Sequence, residues 1–136
     1  MAGPVEPLER VRRVLDTDPR IAYAVAFGSF PAGRAHAGSD LDIAIGVITG
    51  CRLDVLALGA LTVQLEAAAG GAVDLVLLDE AAPGLAYRVF RDGHVLVTRD
   101  AGALAQRRAR AILEYLDFQP IEEICTRGVL AARRGR

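Results

Sequence analysis

The sequence predicts a small α/β fold, a mixed β-sheet with helices packed on it, and three observations predict it. Segments of helical apolar spacing alternate with short, β-rich apolar runs. Their order reads helix, strand, strand, helix, strand, helix, strand, helix, which is the pattern of one sheet covered by helices. The composition, 52% apolar with 24% charged residues, is that of a chain able to bury a core. At 136 residues a single domain is expected, with no room for a separate substrate domain.

Each element has a local reason. Leu8, Val11 and Leu15 recur at helical spacing, so residues 5–17 read as an amphipathic helix stopped before Pro19. Ile21–Phe27 is short, apolar and β-rich, the first strand. Residues 29–39, with Pro31, two glycines and two serines, read as a loop with room for one helical turn. Leu41–Val47 is the second strand. Asp54 can cap a helix that carries Leu58, Leu61, Thr62 and Leu65 on one face and ends at Gly70-Gly71. Val73–Leu78 is a third strand, with Asp74 near its start. Pro83-Gly84 marks a turn before a short helix to Arg91, and Asp92-Gly93 a tight turn into the strand His94–Thr98. Leu104 or Ala105, Ala109, Ile112 and Leu116 mark a final helix that should end before Pro120.

Several function classes are excluded or disfavoured. No apolar stretch approaches the roughly 20 residues that cross a bilayer, and the N-terminus lacks a signal peptide's basic start and apolar run, so a cytoplasmic protein is expected. The net charge of −1 argues against direct nucleic-acid binding, although arginines make the C-terminal third locally basic. Cys51 and Cys125 have no metal-type spacing and read as idle thiols in a reducing compartment.

The chemistry concentrates in one stretch. Gly28-Ser29 closes the first strand, ten residues intervene, and Asp40 and Asp42 follow at i and i+2. Residues two apart on a strand share a face, so these carboxylates stand side by side while Leu41, Ile43 and Ile45 supply the buried face. Asp is depleted in strands and like charges repel, so the arrangement asks for a cation between them. Asp74 falls at a comparable place in the third strand. If the two strands pair, about 4.8 Å apart, three carboxylates converge on one sheet region. Hard oxygen ligands suit Mg²⁺, and three of them can hold two ions that grip a triphosphate and activate an attacking hydroxyl. Glycine at residue 28 permits close backbone approach to phosphate, and Ser29 adds a hydroxyl.

The stretch GSFPAGRAHAGSDLDIAIG, with VDLVLLD downstream, resembles the signature of the minimal nucleotidyltransferases of the polymerase-β superfamily. The resemblance covers about residues 8–118, leaving a C-terminal tail at 121–136, and implies a polymerase-β-like nucleotidyltransferase fold. It implies that Gly28 and Ser29 contact the nucleotide phosphates. Asp40, Asp42 and Asp74 would be the metal ligands and catalytic carboxylates, with Asp74 activating the attacking hydroxyl. Mg²⁺, as two ions, would be the cofactor and ATP the substrate. Chains of this size are similar to the antitoxin halves of HEPN/MNT toxin–antitoxin pairs, and YLDFQPIEEI resembles the C-terminal segment of that group. This second resemblance implies transfer of AMP from ATP to a tyrosine of a HEPN ribonuclease toxin, which silences it. The toxin would be encoded by the adjacent gene and could form an oligomer with this chain. Many relatives carry a basic residue shortly after Gly-Ser. Here Ala32 stands there, with Arg34 and His36 shifted.

Two other readings use the same residues: an antitoxin that neutralises its toxin by occlusion alone, and a small-molecule nucleotidyltransferase of the aminoglycoside type. The lack of a further substrate domain counts against the latter. Outside the motif, His36 reads as a surface residue and His94 as a structural one. Tyr87, Arg88 and Arg91 lie on a helix that can approach the site, but a solvated face accounts for them. The arginine run 107–110 serves equally as a partner-binding face or a solvated one.

Overall fold

A computed structural model describes residues 5–28 and 40–134, with side chains over 6–28 and 40–117. The predicted elements form in the predicted order: α1 (Val5–Asp16), β1 (Ile21–Phe27), β2 (Leu41–Val47), α2 (Val55–Ala69), β3 (Val73–Leu77), α3 (Pro83–Asp92), β4 (His94–Thr98) and α4 (Ala101–Arg134). The predicted loop at 29–39 lies outside the described residues.

Strand order is β3-β2-β1-β4. β1 pairs antiparallel with both β2 and β4, whereas β2 and β3 run parallel. The polarity follows from the connections. Parallel neighbours need a long crossover, and α2 supplies it between β2 and β3. Leu61 and Leu65 bury the inner face of α2, Asp54 caps its start by accepting a hydrogen bond from the Ala57 amide at 2.8 Å, and Gly70 ends it.

The sheet is covered on both sides. Leu41, Ile43 and Ile45 of β2 pack with Val11 and Leu15 of α1 and with Leu61 and Leu65 of α2. The opposite face carries Ala22, Tyr23, Val25 and Ala44, which pack against Ala86 and Val89 of α3 and Ala111 of α4. The alternation along β2 thus sends Asp42, Ala44 and Gly46 toward the α3/α4 layer.

Four boundaries differ from the sequence reading. β3 ends at Leu77 and a 3-10 turn takes Leu78–Glu80, because Leu78 turns in to fill the core under α3 and α4. Pro83 is no turn but the first residue of α3, where its fixed φ suits a helix and its missing N–H costs nothing. Gly93 is extended (φ −80°, ψ 163°), so α3 runs into β4 without a tight turn. Finally, α4 does not stop before Pro120 but continues to Arg134. A proline removes one i→i−4 hydrogen bond and crowds the carbonyl of residue i−4, but the helix-forming residues on either side, Leu113-Glu114 before it and Glu122-Glu123 and Leu130-Ala131-Ala132 after it among them, carry the helix through.

The arginine run 107–110 divides. Arg107 is buried, 4% exposed; its Nη2 donates to the Leu78 carbonyl at 3.0 Å and its Nε lies 3.3 Å from the Asp79 carboxylate. Arg110 pairs with the same Asp79 and with Glu114, and Arg108 lies over the Phe90 ring. Arg107 is therefore a pin between α4 and the end of β3 rather than a partner-binding or solvated residue.

A smaller pin holds the α1–β1 turn. The Asp18 carboxylate accepts from the Arg20 amide at 3.0 Å and from its guanidinium at 2.9 and 2.7 Å. The Arg20 hydrogen bonds hold the Asp18 carboxyl below the usual carboxylate range. A depressed carboxyl pKa stabilises the fold above the unfolded value and the contribution is lost as pH falls through the folded one. Asp18→Asn should therefore lower stability at pH 7 by about 1–2 kcal/mol. Chemical denaturation should show the gap closing as pH falls below the ordinary carboxylate value of 3.8.

Candidate active site

The predicted carboxylates gather where β1 ends and β2 and β3 begin. The parallel register sets Asp42 opposite Asp74, with Leu41 opposite Val73 and Ile43 opposite Leu75 on either side. Neighbours in register project from the same face, so Asp42 and Asp74 stand together on the α3/α4 side. The condition left open by the sequence, that these two strands pair, is met. Asp40, exposed just before β2, adds its charge to the same place.

The crowding registers on Asp42. Burial pushes its carboxyl above the usual range, and the charges of Asp74 and Asp40 push it further. Each of these effects disfavours the ionised form, and a cation between the carboxylates would reverse them. The donor set fits a hard divalent ion, since every candidate ligand atom is a carboxylate oxygen. Among the described residues, however, no three His, Cys, Asp or Glu side chains close around a common point.

Gly28 completes the rim. Its φ of +85° lies in the left-handed region, where a side chain is strained. A Cβ built there would also overlap Oδ2 of Asp42 and lie 3.4 Å from its Cγ. Glycine is thus required twice, by the turn and by the approach of the backbone to the carboxylate. Ser29, like His36 and Arg34, lies outside the described residues.

A cavity of about 160 Å³ opens at this point, lined by Phe27, Gly28, Asp42, Arg88 and Asp92. Arg88 and Asp92 come from α3, one turn apart. Sequence reasoning placed Arg88 on a solvated face and did not single out Asp92. The available signal was their i, i+4 spacing on a helix that packs over the carboxylate face. Tyr87, by contrast, turns away and stacks on Tyr115 of α4, with ring centroids 4.0 Å apart and Arg91 above it. His94 sits exposed at the start of β4, opposite Ala26.

Known proteins carry the same framework. The protein adenylyltransferase MntA of Shewanella oneidensis is 34% identical over 86 residues, 63% of this chain and 60% of that protein. The chain therefore aligns with less than two thirds of that relative's length. Among solved structures, a toxin–antitoxin crystal structure with AMP-PNP superposes with a TM-score of 0.77 at 27% identity, covering 90% of this chain and 98% of the other. An MNT antitoxin in complex with tri-AMPylated Shewanella oneidensis HEPN toxin gives 0.74 at 24% identity, a likeness of fold over 94% of this chain and 99% of that one. Residues 9–102, which span Gly28, both strand carboxylates and the whole sheet, match the family described as polymerase beta, nucleotidyltransferase. The match covers more than half of the chain, and the chain belongs to the polymerase beta nucleotidyltransferase family.

Proposed function

We propose that the protein is a Mg²⁺-dependent protein adenylyltransferase of the cytoplasm that moves AMP from ATP onto a tyrosine hydroxyl of a HEPN-family toxin and so silences it. The observation that carries this reading is the register of Asp42 with Asp74 beside Gly28. It is supported by the likeness of nearly the whole chain to a chain of a toxin–antitoxin crystal structure with AMP-PNP.

Asp40, Asp42 and Asp74 would hold the cations. When bound, the ions supply positive charge to the triphosphate and ease ionisation of the acceptor hydroxyl. Gly28 keeps the backbone low enough for phosphate to approach, and Ser29 offers its hydroxyl to the same group. Asp74 is exposed, so its carboxylate can take the acceptor's proton as the tyrosine oxygen bonds to the α-phosphorus. The bond from that phosphorus to the bridging oxygen breaks, and pyrophosphate leaves.

The test is incubation of the full chain with α-labelled ATP, Mg²⁺ and the protein encoded by the adjacent gene. Label should appear on a tyrosine of that protein, and chelation of Mg²⁺ should abolish it. Absence of label on the partner would overturn the adenylyltransferase reading in favour of neutralisation by occlusion. Label on an aminoglycoside instead would reassign the enzyme to small molecules.

A further inference from the structure

We propose that Arg88 binds the β- and γ-phosphates of the nucleotide and stabilises the pyrophosphate as it leaves. This rests on the nucleotidyl-transfer reading and adds to it a residue from outside the signature motif. Among the described residues, Arg88 is the one basic side chain lining the cavity that Gly28 and Asp42 open onto. Its guanidinium has no hydrogen bond and no ion pair among the described residues. Most arginines around it are engaged: Arg91 with Asp92 at 2.9 Å, Arg107 with Leu78 and Asp79, Arg110 with Asp79 and Glu114.

The placement is set by α3. Ala86 and Val89 are buried against the sheet, which anchors the helix and leaves position 88 facing the cavity mouth. An arginine beside carboxylates that carries no partner there has its charge available for an anion. The carboxylates would bind cations, and those cations offset the carboxylates' own charge more than the substrate's. A triphosphate therefore still needs a donor from the protein, and the fork of a guanidinium matches phosphate oxygens in pairs. Negative charge builds on the leaving pyrophosphate as the bond to the α-phosphorus breaks, so a cation at that end counts most in the transition state. In sequence, this chain has Ala32 where many relatives carry a basic residue after Gly-Ser, which leaves a triphosphate in need of a cation supplied from elsewhere in the chain.

The test compares wild type, Arg88→Ala and Arg88→Lys, with the exposed Arg108→Ala as control, in AMP transfer to the protein acceptor. Arg88→Ala should raise KM for ATP and lower kcat, with kcat/KM for ATP down by at least about tenfold. Inhibition by added pyrophosphate should weaken by a similar factor, while the affinity for AMP and the KM for the acceptor stay unchanged. Arg88→Lys should recover part of the loss, and Arg108→Ala should match wild type. Unchanged ATP kinetics and pyrophosphate inhibition in Arg88→Ala would overturn the assignment, as would a rise confined to the acceptor's KM. If wild type itself transfers no AMP, it is the adenylyltransferase reading that fails. A thermal melt of Arg88→Ala equal to wild type's separates lost binding from lost folding.

Discussion

On the proposed mechanism, in which Asp42 would hold a cation, Asp42→Asn is expected to reduce AMP transfer by roughly a thousandfold. Asparagine keeps the shape of the side chain, so the contacts with Gly28 and the register with Asp74 survive. What disappears is the negative charge. In wild type that charge is held against burial and against Asp74 and Asp40, which is why the Asp42 carboxyl lies above its usual range. The sign of its effect on stability follows. A raised carboxyl pKa means that the fold tolerates the protonated form better than the ionised one, so stability is highest below the unfolded pKa and falls as pH rises through the folded value. In Mg²⁺-free buffer at pH 7, Asp42→Asn should therefore melt no lower than wild type. Differential scanning calorimetry beside the transfer assay checks both halves. A variant that kept activity would remove Asp42 from the catalytic assignment, and one that melted below wild type would overturn the stability prediction. Protection of cells from the toxin by this variant, equal to that of wild type, would make the chemistry dispensable for neutralisation.

The largest expected effect on stability lies elsewhere, at Gly46→Ala. Gly46 faces Tyr23 across the β1–β2 pair, and the hydroxyl end of the tyrosine ring lies against the glycine. A Cβ at residue 46 would overlap that ring at Cζ and lie 2.5 Å from the hydroxyl oxygen. The ring has nowhere to go. Tyr23 is 3% exposed and belongs to the cluster of Leu78, Ala86, Val89 and Ala111 under α3 and α4. Burial, reinforced by the Asp79 charge, pushes its phenol up to about 12. Overpacking of this kind should cost about 3 kcal/mol, equivalent to a fall in Tm on the order of 10 °C. The mechanism predicts its own rescue. In a Tyr23→Leu background the ring is gone, and Gly46→Ala should then cost under about 1 kcal/mol. Equal costs in the two backgrounds would mean that the glycine is needed for some reason other than the ring.

These two positions also show what kind of information each level holds. Asp42 was identifiable from the chain because its neighbours announce it: a glycine-serine turn, ten residues, and an acidic pair in an otherwise apolar strand. Gly46, four residues on, gives no such sign. Its role depends on Tyr23, which is distant in sequence and comes opposite only once β1 and β2 pair. Arg88 and Arg107 repeat the contrast. Both sit in helices rich in charge and both read as solvated or partner-facing. Packing of α3 turns Arg88 to the cavity, and packing of α4 buries Arg107 against the end of β3. Pro120 misled for a related reason, since a local breaker is one term among the many that a long helix sums.

By itself, then, the sequence determined which segments are helices and strands, their order and which faces are apolar, and it nominated Asp40, Asp42 and Asp74 as candidate ligands. Periodicity and turn chemistry are local, and local patterns survive in a one-dimensional string. Only the tertiary structure decided that β2 and β3 are parallel neighbours with Asp42 opposite Asp74, that Gly28 closes on Asp42, and that Arg88 joins them across the cavity. Those relations arise from how α2 crosses over and how α3 docks on the sheet. They depend on shape-matched packing between residues far apart in the chain, which no local pattern records.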